Sequence, residues 1–194
     1  MRLLYTKRSP FARKVRVLAL EKAINLDLID EDLAKKSPLL LASNPLGKVP
    51  TLILDNGEII FDSVVICQYL DELNNKIVLI PKSGKARWEV LKWEATADDM
   101  VVAAINIYME KIRHPNDFHE KSITVQEDNI KKAYDYAASH LGELKELTLA
   151  PIAFAAALGY INFRLPHLKP EGAVGQWFNQ FSKRPSMAQT IPVA

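Results

Sequence analysis

Hydrophobic spacing follows two different rules along the chain. Up to residue 73, short runs suited to a sheet alternate with helical ones: 2–6, then a helical run over 10–23, then Asp27–Asp30, a looser region, 51–54, 59–61 and a helical run over 62–73. Aliphatic and β-branched clusters bounded by turn residues predict strands at the short runs. Strand, helix and strand at the start form a βαβ unit, so the first two strands should run parallel. Asn56-Gly57 predicts a tight hairpin that adds antiparallel strands.

From Ala86 onward the strand signal disappears and a 3.6-residue period takes over. Trp88, Leu91, Ala95, Val102, Ile105, Met109 and Ile112 trace one face of a long helix, and a second helix is expected over 122–141. The run that begins at Thr148 is apolar on nearly all sides, which marks a helix at the centre of a bundle. Between the halves, 74–85 reads as a linker containing Pro81 and Gly84. The expected organisation is an α/β domain over 1–77, a connection over 78–85 and an all-helical domain over 86–194, with no internal repeat.

Composition narrows the function classes. The chain has 194 residues, 48% of them hydrophobic, enough for one large core or two small ones. With 25 Lys and Arg against 23 Asp and Glu, the formal charge of +2 gives no reason to expect a nucleic-acid or membrane partner. Six cations, Arg2, Lys7, Arg8, Arg13, Lys14 and Arg16, precede the first acid, Glu21; they form either an anion-attracting patch or a solvated face. Charges through the opening residues argue against a secretory signal. The longest uncharged run, 147–163, contains Pro151 and Asn162 and falls short of the roughly 20 residues of a spanning helix. Cys67 is the single cysteine, so no internal disulfide and no Cys-only metal site are possible, and a reduced cytoplasm is the expected setting. His114 and His119, five apart on a polar stretch, suit solvated or capping roles, and no metal is expected.

Three stretches carry chemistry. In "NPLGKVPTL", Pro50 stands where a strand is about to begin, although proline cannot donate to a ladder. A cis Val49-Pro50 bond, costing only about 0.5–1 kcal/mol, would turn the N–H and C=O of Val49 toward an extended ligand; a trans proline on an edge strand is the plainer alternative. In "FDSVVICQYL", Asp62 and Ser63 precede an apolar helical run, where they cap it and present free N–H groups suited to a carboxylate. An acid beside an anion site suits a ligand that also carries an ammonium group, although an ordinary cap needs no ligand. In "SPFARKVR", Ser9 and Pro10 form a helix start, and an exposed hydroxyl there can donate to an anion such as a thiolate.

Together these stretches resemble the glutathione transferase superfamily. "LTLAPIAFAAALGYINFR" is similar to its central helix and "WFNQFSKRPSMAQTIP" to its usual ending, so the resemblance covers almost the whole chain in order. It implies a thioredoxin-like domain followed by an all-helical domain, a homodimer, and glutathione bound mainly by the first domain. Carried across, it gives Val49 the cysteinyl backbone of glutathione, Asp62 the γ-glutamyl ammonium, and Ser63 the γ-glutamyl carboxylate. Lys48, or alternatively Lys36, would meet the glycyl carboxylate; Ser9 would sit at the thiol with Phe11 beside it, and Tyr5 is a rival activator. The implied activity is conjugation of glutathione to a small hydrophobic electrophile, or its use in isomerising one, in a cleft between the domains. Ile105, Tyr108, Met109 and Phe11 are candidates to line that cleft. The alternatives are glutathione-dependent reduction or dehalogenation, and a non-catalytic protein acting through a protein partner. Two departures stand out. Ser9 occupies a position where some relatives carry a cysteine that forms mixed disulfides, and Pro151 follows Thr148 where relatives carry an acid, leaving Ala150 as the expected donor to the threonine.

Overall fold

The computed structural model describes residues 1–193 and divides into two compact units, Met1–Ile80 with the segment from Pro185 onward, and Pro81–Arg184. The sequence placed everything after residue 85 in the second domain. Instead the chain's last segment returns to the first unit, because buried Arg13 holds it: Nη2 donates to the Met187 carbonyl at 3.1 Å and Nε to the Thr190 hydroxyl at 3.4 Å. Burial, aided by neighbouring Arg16, pulls the Arg13 guanidinium down to about 10.

The first unit is a four-stranded mixed sheet with helices. Strands β1 (Arg2–Tyr5) and β2 (Asp27–Asp30) are parallel, with Arg2 opposite Asp27 and Tyr5 opposite Asp30. β3 (Thr51–Ile53) pairs antiparallel with β1, and β4 (Ile59–Ile60) with β3, giving the order β2-β1-β3-β4. The crossover from β1 to β2 is helix α1 (Pro10–Glu21). It ends where Ala23 turns left-handed at φ 54° and Ile24 N–H reaches the Ala19 carbonyl at 2.8 Å. The looser region of the sequence contains a further helix, α2 (Pro38–Ser43), started by Ser37, whose hydroxyl accepts from Leu40 N–H at 3.0 Å. Its Ser-Pro start is the same signal as Ser9-Pro10. Helix α3 (Ser63–Glu72) follows the hairpin and packs on α1. Leu4, Leu40, Val49 and Ile53 form one buried cluster against which Ile29 and Leu39 pack.

A buried ion pair ties the end of this unit together. Lys22 Nζ lies 2.8 Å from Asp71 Oδ1 and also donates to the carbonyls of Asn74 (3.0 Å) and Ile77 (2.6 Å). The Asp71 carboxylate in turn accepts the N–H groups of Leu79 and Ile80. Every charge there is compensated, which is the condition for burying such a pair.

The second unit is helical: α4 (Gly84–Arg113), α5 (Glu120–His140), α6 (Leu149–Arg164) and α7 (Gly172–Phe181), with short 3-10 turns at Leu141–Leu144 and Pro166–Leu168. The short α8 (Pro185–Ala188) belongs to the first unit. As its apolar run predicts, α6 is buried continuously from Leu149 to Ile161, with α4 packed along it. Thr148 caps it by accepting from Ala150 N–H at 3.3 Å. Trp93 lies at the centre of the unit, 5.2 Å from the Phe154 ring and 5.4 Å from that of Tyr136, and its indole N–H donates to Glu143 at 2.8 Å.

The face read for α4 requires correction. Its buried stripe is Val90, Trp93, Ala97, Met100, Val101, Ala104 and Ile107. None of the seven residues read as one face by their period is fully buried, and Trp88 (65%), Val102 (46%) and Ile112 (53%) are exposed. The true stripe lies two positions along, about 200° around a helix that advances ~100° per residue. Alanines at 97, 103 and 104 allow close packing but give a weak sequence signal, whereas the outer face carries the conspicuous bulky residues.

Candidate functional site

Three chain turns in the first unit leave polar groups without protein partners among the described residues. The first follows β1. Ser9 is the N-cap of α1 at φ −71° and ψ 119°, and its N–H is held by the Thr6 carbonyl (3.2 Å) and hydroxyl (3.1 Å). Its Oγ accepts from Ala12 N–H at 3.2 Å, so the hydroxyl proton remains available to donate. Ser9 and Phe11 are both half-buried at this end of the helix. Tyr5 differs: its ring is 6% exposed and lies under the Arg16 guanidinium, 4.8 Å from the ring centroid. Burial lowers the Arg16 pKa, and the nearby Tyr5 and Asp30 oppose that shift.

The second turn leads into β3. Asn44 builds it: its side-chain amide donates to the Lys48 carbonyl and the Thr51 hydroxyl, both at 3.1 Å, while its oxygen accepts from Leu46 N–H at 3.0 Å. The Thr51 hydroxyl donates to the same Lys48 carbonyl at 2.9 Å. The Val49-Pro50 bond is cis. Val49 is 9% exposed, and its N–H and C=O form no backbone hydrogen bond among the described residues. Buried main-chain groups are nearly always paired, so this edge suits the main chain of an extended ligand. Gly47, at φ 56°, takes a left-handed backbone that side chains rarely adopt, and a Cβ there would stand 2.9 Å from the flexible end of Lys36, at Nζ. Lys36 thus lies across the turn beside exposed Lys48, and the two lysines weighed for one role share one edge.

The third turn starts α3. Asp62 is the N-cap and spends Oδ1 on Val64 N–H at 3.1 Å, leaving its other oxygen exposed. Ser63 is 2% exposed, and neither its hydroxyl nor its N–H, the first orphan donor of the helix, has a protein acceptor among the described residues. Helix start and acid together give adjacent anion-seeking and cation-seeking groups.

The first turn follows β1, the second leads into β3 and the third starts α3. Depressions along β2, of about 420 and 440 Å³, are lined by Thr6, Lys7 and Arg8 with Asp30–Asp32 and by the stretch around Lys35 and Lys36. Sequence reasoning identified the capping residues but missed Asn44 and Thr51, which hold the Val49 turn in shape; their signal was the Asn-Pro-Leu-Gly turn chemistry. His119, as expected for a cap, starts α5 by accepting from Ser122 N–H through Nδ1 at 3.1 Å. No group of three metal-ligating side chains occurs among the described residues.

The sequence profile of the glutathione S-transferase N-terminal domain matches residues 8–73, which span all three turns. The uncharacterized GST-like protein YibF of Escherichia coli K12 is 36% identical over 168 residues, covering 84% of this chain and 83% of that protein. A glutathione transferase family member from Pseudomonas fluorescens Pf-5, solved with bound glutathione, is 34% identical with a TM-score of 0.89 over all of this chain and 99% of that one. A glutathione S-transferase from Methylobacillus flagellatus, also with glutathione bound, is 35% identical with a TM-score of 0.90 over 99% of both chains. The chain therefore belongs to the glutathione transferase superfamily, and residues 8–73 of its first unit match that family's N-terminal domain.

Proposed function

We propose that the protein is a glutathione transferase that binds glutathione as its thiolate and joins the sulfur to a small hydrophobic electrophile. The observation that carries the binding half is the buried main chain of Val49, which forms no backbone hydrogen bond among the described residues, together with the Ser63 donors and the second Asp62 oxygen at the start of α3. A glutathione molecule supplies what each lacks. Its cysteinyl peptide pairs with Val49, its α-carboxylate with Ser63, its α-ammonium with Asp62, and its glycyl carboxylate with Lys48 or Lys36. The Pseudomonas fluorescens and Methylobacillus flagellatus relatives, which hold glutathione, support this reading.

Chemistry then falls to Ser9. Lowering a cysteine thiol by about two pKa units takes roughly 2.7 kcal/mol of preference for the thiolate. A hydrogen bond to a charged acceptor contributes about 1.5–3 kcal/mol and a helix N-terminus about 0.3–1 kcal/mol. One Ser9 hydroxyl at the start of α1 suffices. The thiolate sulfur forms a bond to the electrophilic carbon as the leaving group departs with its electron pair, or as a double bond takes up the charge and then a proton. Ser9 cannot form a mixed disulfide, and Cys67 is fully buried in α3, so neither residue supports reductase chemistry.

Two copies acting together in the cytoplasm complete the proposal. The outer face of α4 exposes Trp88, Val102 and Ile112, which a second copy would cover. Mixing the protein with glutathione and chlorodinitrobenzene tests the activity: release of chloride and appearance of the thioether above the uncatalysed rate are expected. Glutathione binding without turnover of any member of an electrophile panel would instead favour a non-catalytic member of the fold.

A further inference from the structure

One cation of the helical unit is oriented without an anion to face. Arg164 ends α6, and its guanidinium carbon lies 4.4 Å from the Tyr108 ring centroid and 4.3 Å from that of Phe163. Nη1 donates to the Tyr108 hydroxyl at 3.0 Å. Nε is buried without an acceptor, and no carboxylate among the described residues forms a salt bridge with Arg164. Arg13 makes an instructive contrast: its donors are used on a carbonyl and a hydroxyl, as expected of an arginine that serves packing.

A guanidinium carries five N–H donors and stays charged, so an arginine that packs against two rings and makes one hydrogen bond is incompletely used. Complementing the carbonyl end of α6 accounts for a cation at this position but not for its being pinned by aromatic neighbours on both α4 and α6. The Tyr108 hydroxyl, having accepted from Arg164, retains its proton to donate. Nη2 and that O–H are two donors held beside apolar ring surface, chemistry that suits a planar carboxylate.

We propose that Arg164, positioned by Tyr108 and Phe163, is a binding site in the helical unit for a small organic carboxylate with a flat apolar body. The site rests on the proposed function, since Tyr108 is one of the residues read as lining the electrophile cleft and the carboxylate would belong to the electrophile; benzoate binding is measured without glutathione, so the two readings fail separately. The full chain is titrated with benzoate, and with benzamide as the uncharged isostere, by saturation-transfer NMR and calorimetry. Benzoate should bind in the millimolar range or tighter and benzamide at least about tenfold more weakly. Arg164→Met should lose benzoate by about tenfold or more, and Arg164→Lys should recover only part of the affinity, because an ammonium lacks the planar fork. Melting temperature and glutathione titration of both variants report whether the fold and the other site are intact. Equal binding of benzoate and benzamide, no benzoate binding at millimolar concentration, or full benzoate affinity in a folded Arg164→Met protein would each overturn the proposal.

Discussion

Replacing Ser9 with alanine removes two interactions at once, and the structure allows them to be separated. The first is the cap: Oγ accepts the Ala12 N–H at 3.2 Å, and losing such a bond costs about 0.5–2 kcal/mol. The second is the unspent hydroxyl proton, a charged hydrogen bond of about 1.5–3 kcal/mol when a thiolate is bound. At roughly 1.4 kcal/mol per unit, the second effect should raise the bound thiol's pKa by about one to two units. Ser9→Gly distinguishes the two, because glycine at an N-cap costs only a few tenths of a kcal/mol, yet it removes the same hydroxyl. Ser9→Ala should therefore melt lower by roughly 2–4 °C per kcal/mol lost, while Ser9→Gly stays near the wild type. In both variants, ultraviolet titration of bound glutathione should show the raised pKa. Conjugation at neutral pH should fall by about tenfold or more, with glutathione affinity little changed. An unaltered thiol pKa in both variants would refute the role given to Ser9 and return the question to Tyr5 or to main-chain donors.

Other expectations follow from the same structure. Asp62→Asn keeps a good N-cap for Val64 but removes the charge, so glutathione affinity measured by calorimetry should drop about tenfold with the melting temperature nearly unchanged. Lys22→Met leaves the Asp71 charge buried and should cost about 3–5 kcal/mol in denaturant unfolding, a large share of a typical 5–15 kcal/mol. Glu143 accepts from the Trp93 indole and lies near Lys92, which together hold its carboxyl below the usual 4.5. A depressed pKa stabilises the fold above the unfolded value and is lost as pH falls through the folded one, so melting temperatures taken from neutral pH down past about 4.5 should fall more steeply for the wild type than for Glu143→Gln. Light scattering should give twice the chain's 21.9 kDa at micromolar concentration, and a monomer there would remove the assembly proposed through the outer face of α4.

Much of the fold was legible because local and long-range signals agreed. Ser9-Pro10 and Asp62 start helices as their types dictate, and the alternating runs of the first half pair as the βαβ rule requires. The hidden parts were hidden for physical reasons. Helix α2 occupies only six residues, too few for a period to show, although Ser37-Pro38 announced its start. The buried face of α4 depends on alanines, which are common on either side of a helix, whereas the bulky Trp88 and Val102 lie on the opposite face. The return of the C-terminal segment to the first unit depends on Arg13 reaching Met187 and Thr190, a pairing that no spacing rule encodes across more than 170 residues. Within the site, the capping residues could be read from sequence. The unpaired main chain of Val49 and the Asn44 network that shapes it could not, because side-chain identity says nothing about which backbone groups go unsatisfied.

The claim on which the rest depends is that this edge binds glutathione, and calorimetric titration of the intact protein with glutathione tests it most directly. One glutathione per chain should bind at millimolar concentration or below, and binding should weaken in Asp62→Asn. No heat of binding up to several millimolar glutathione, confirmed by equilibrium dialysis, would contradict the account.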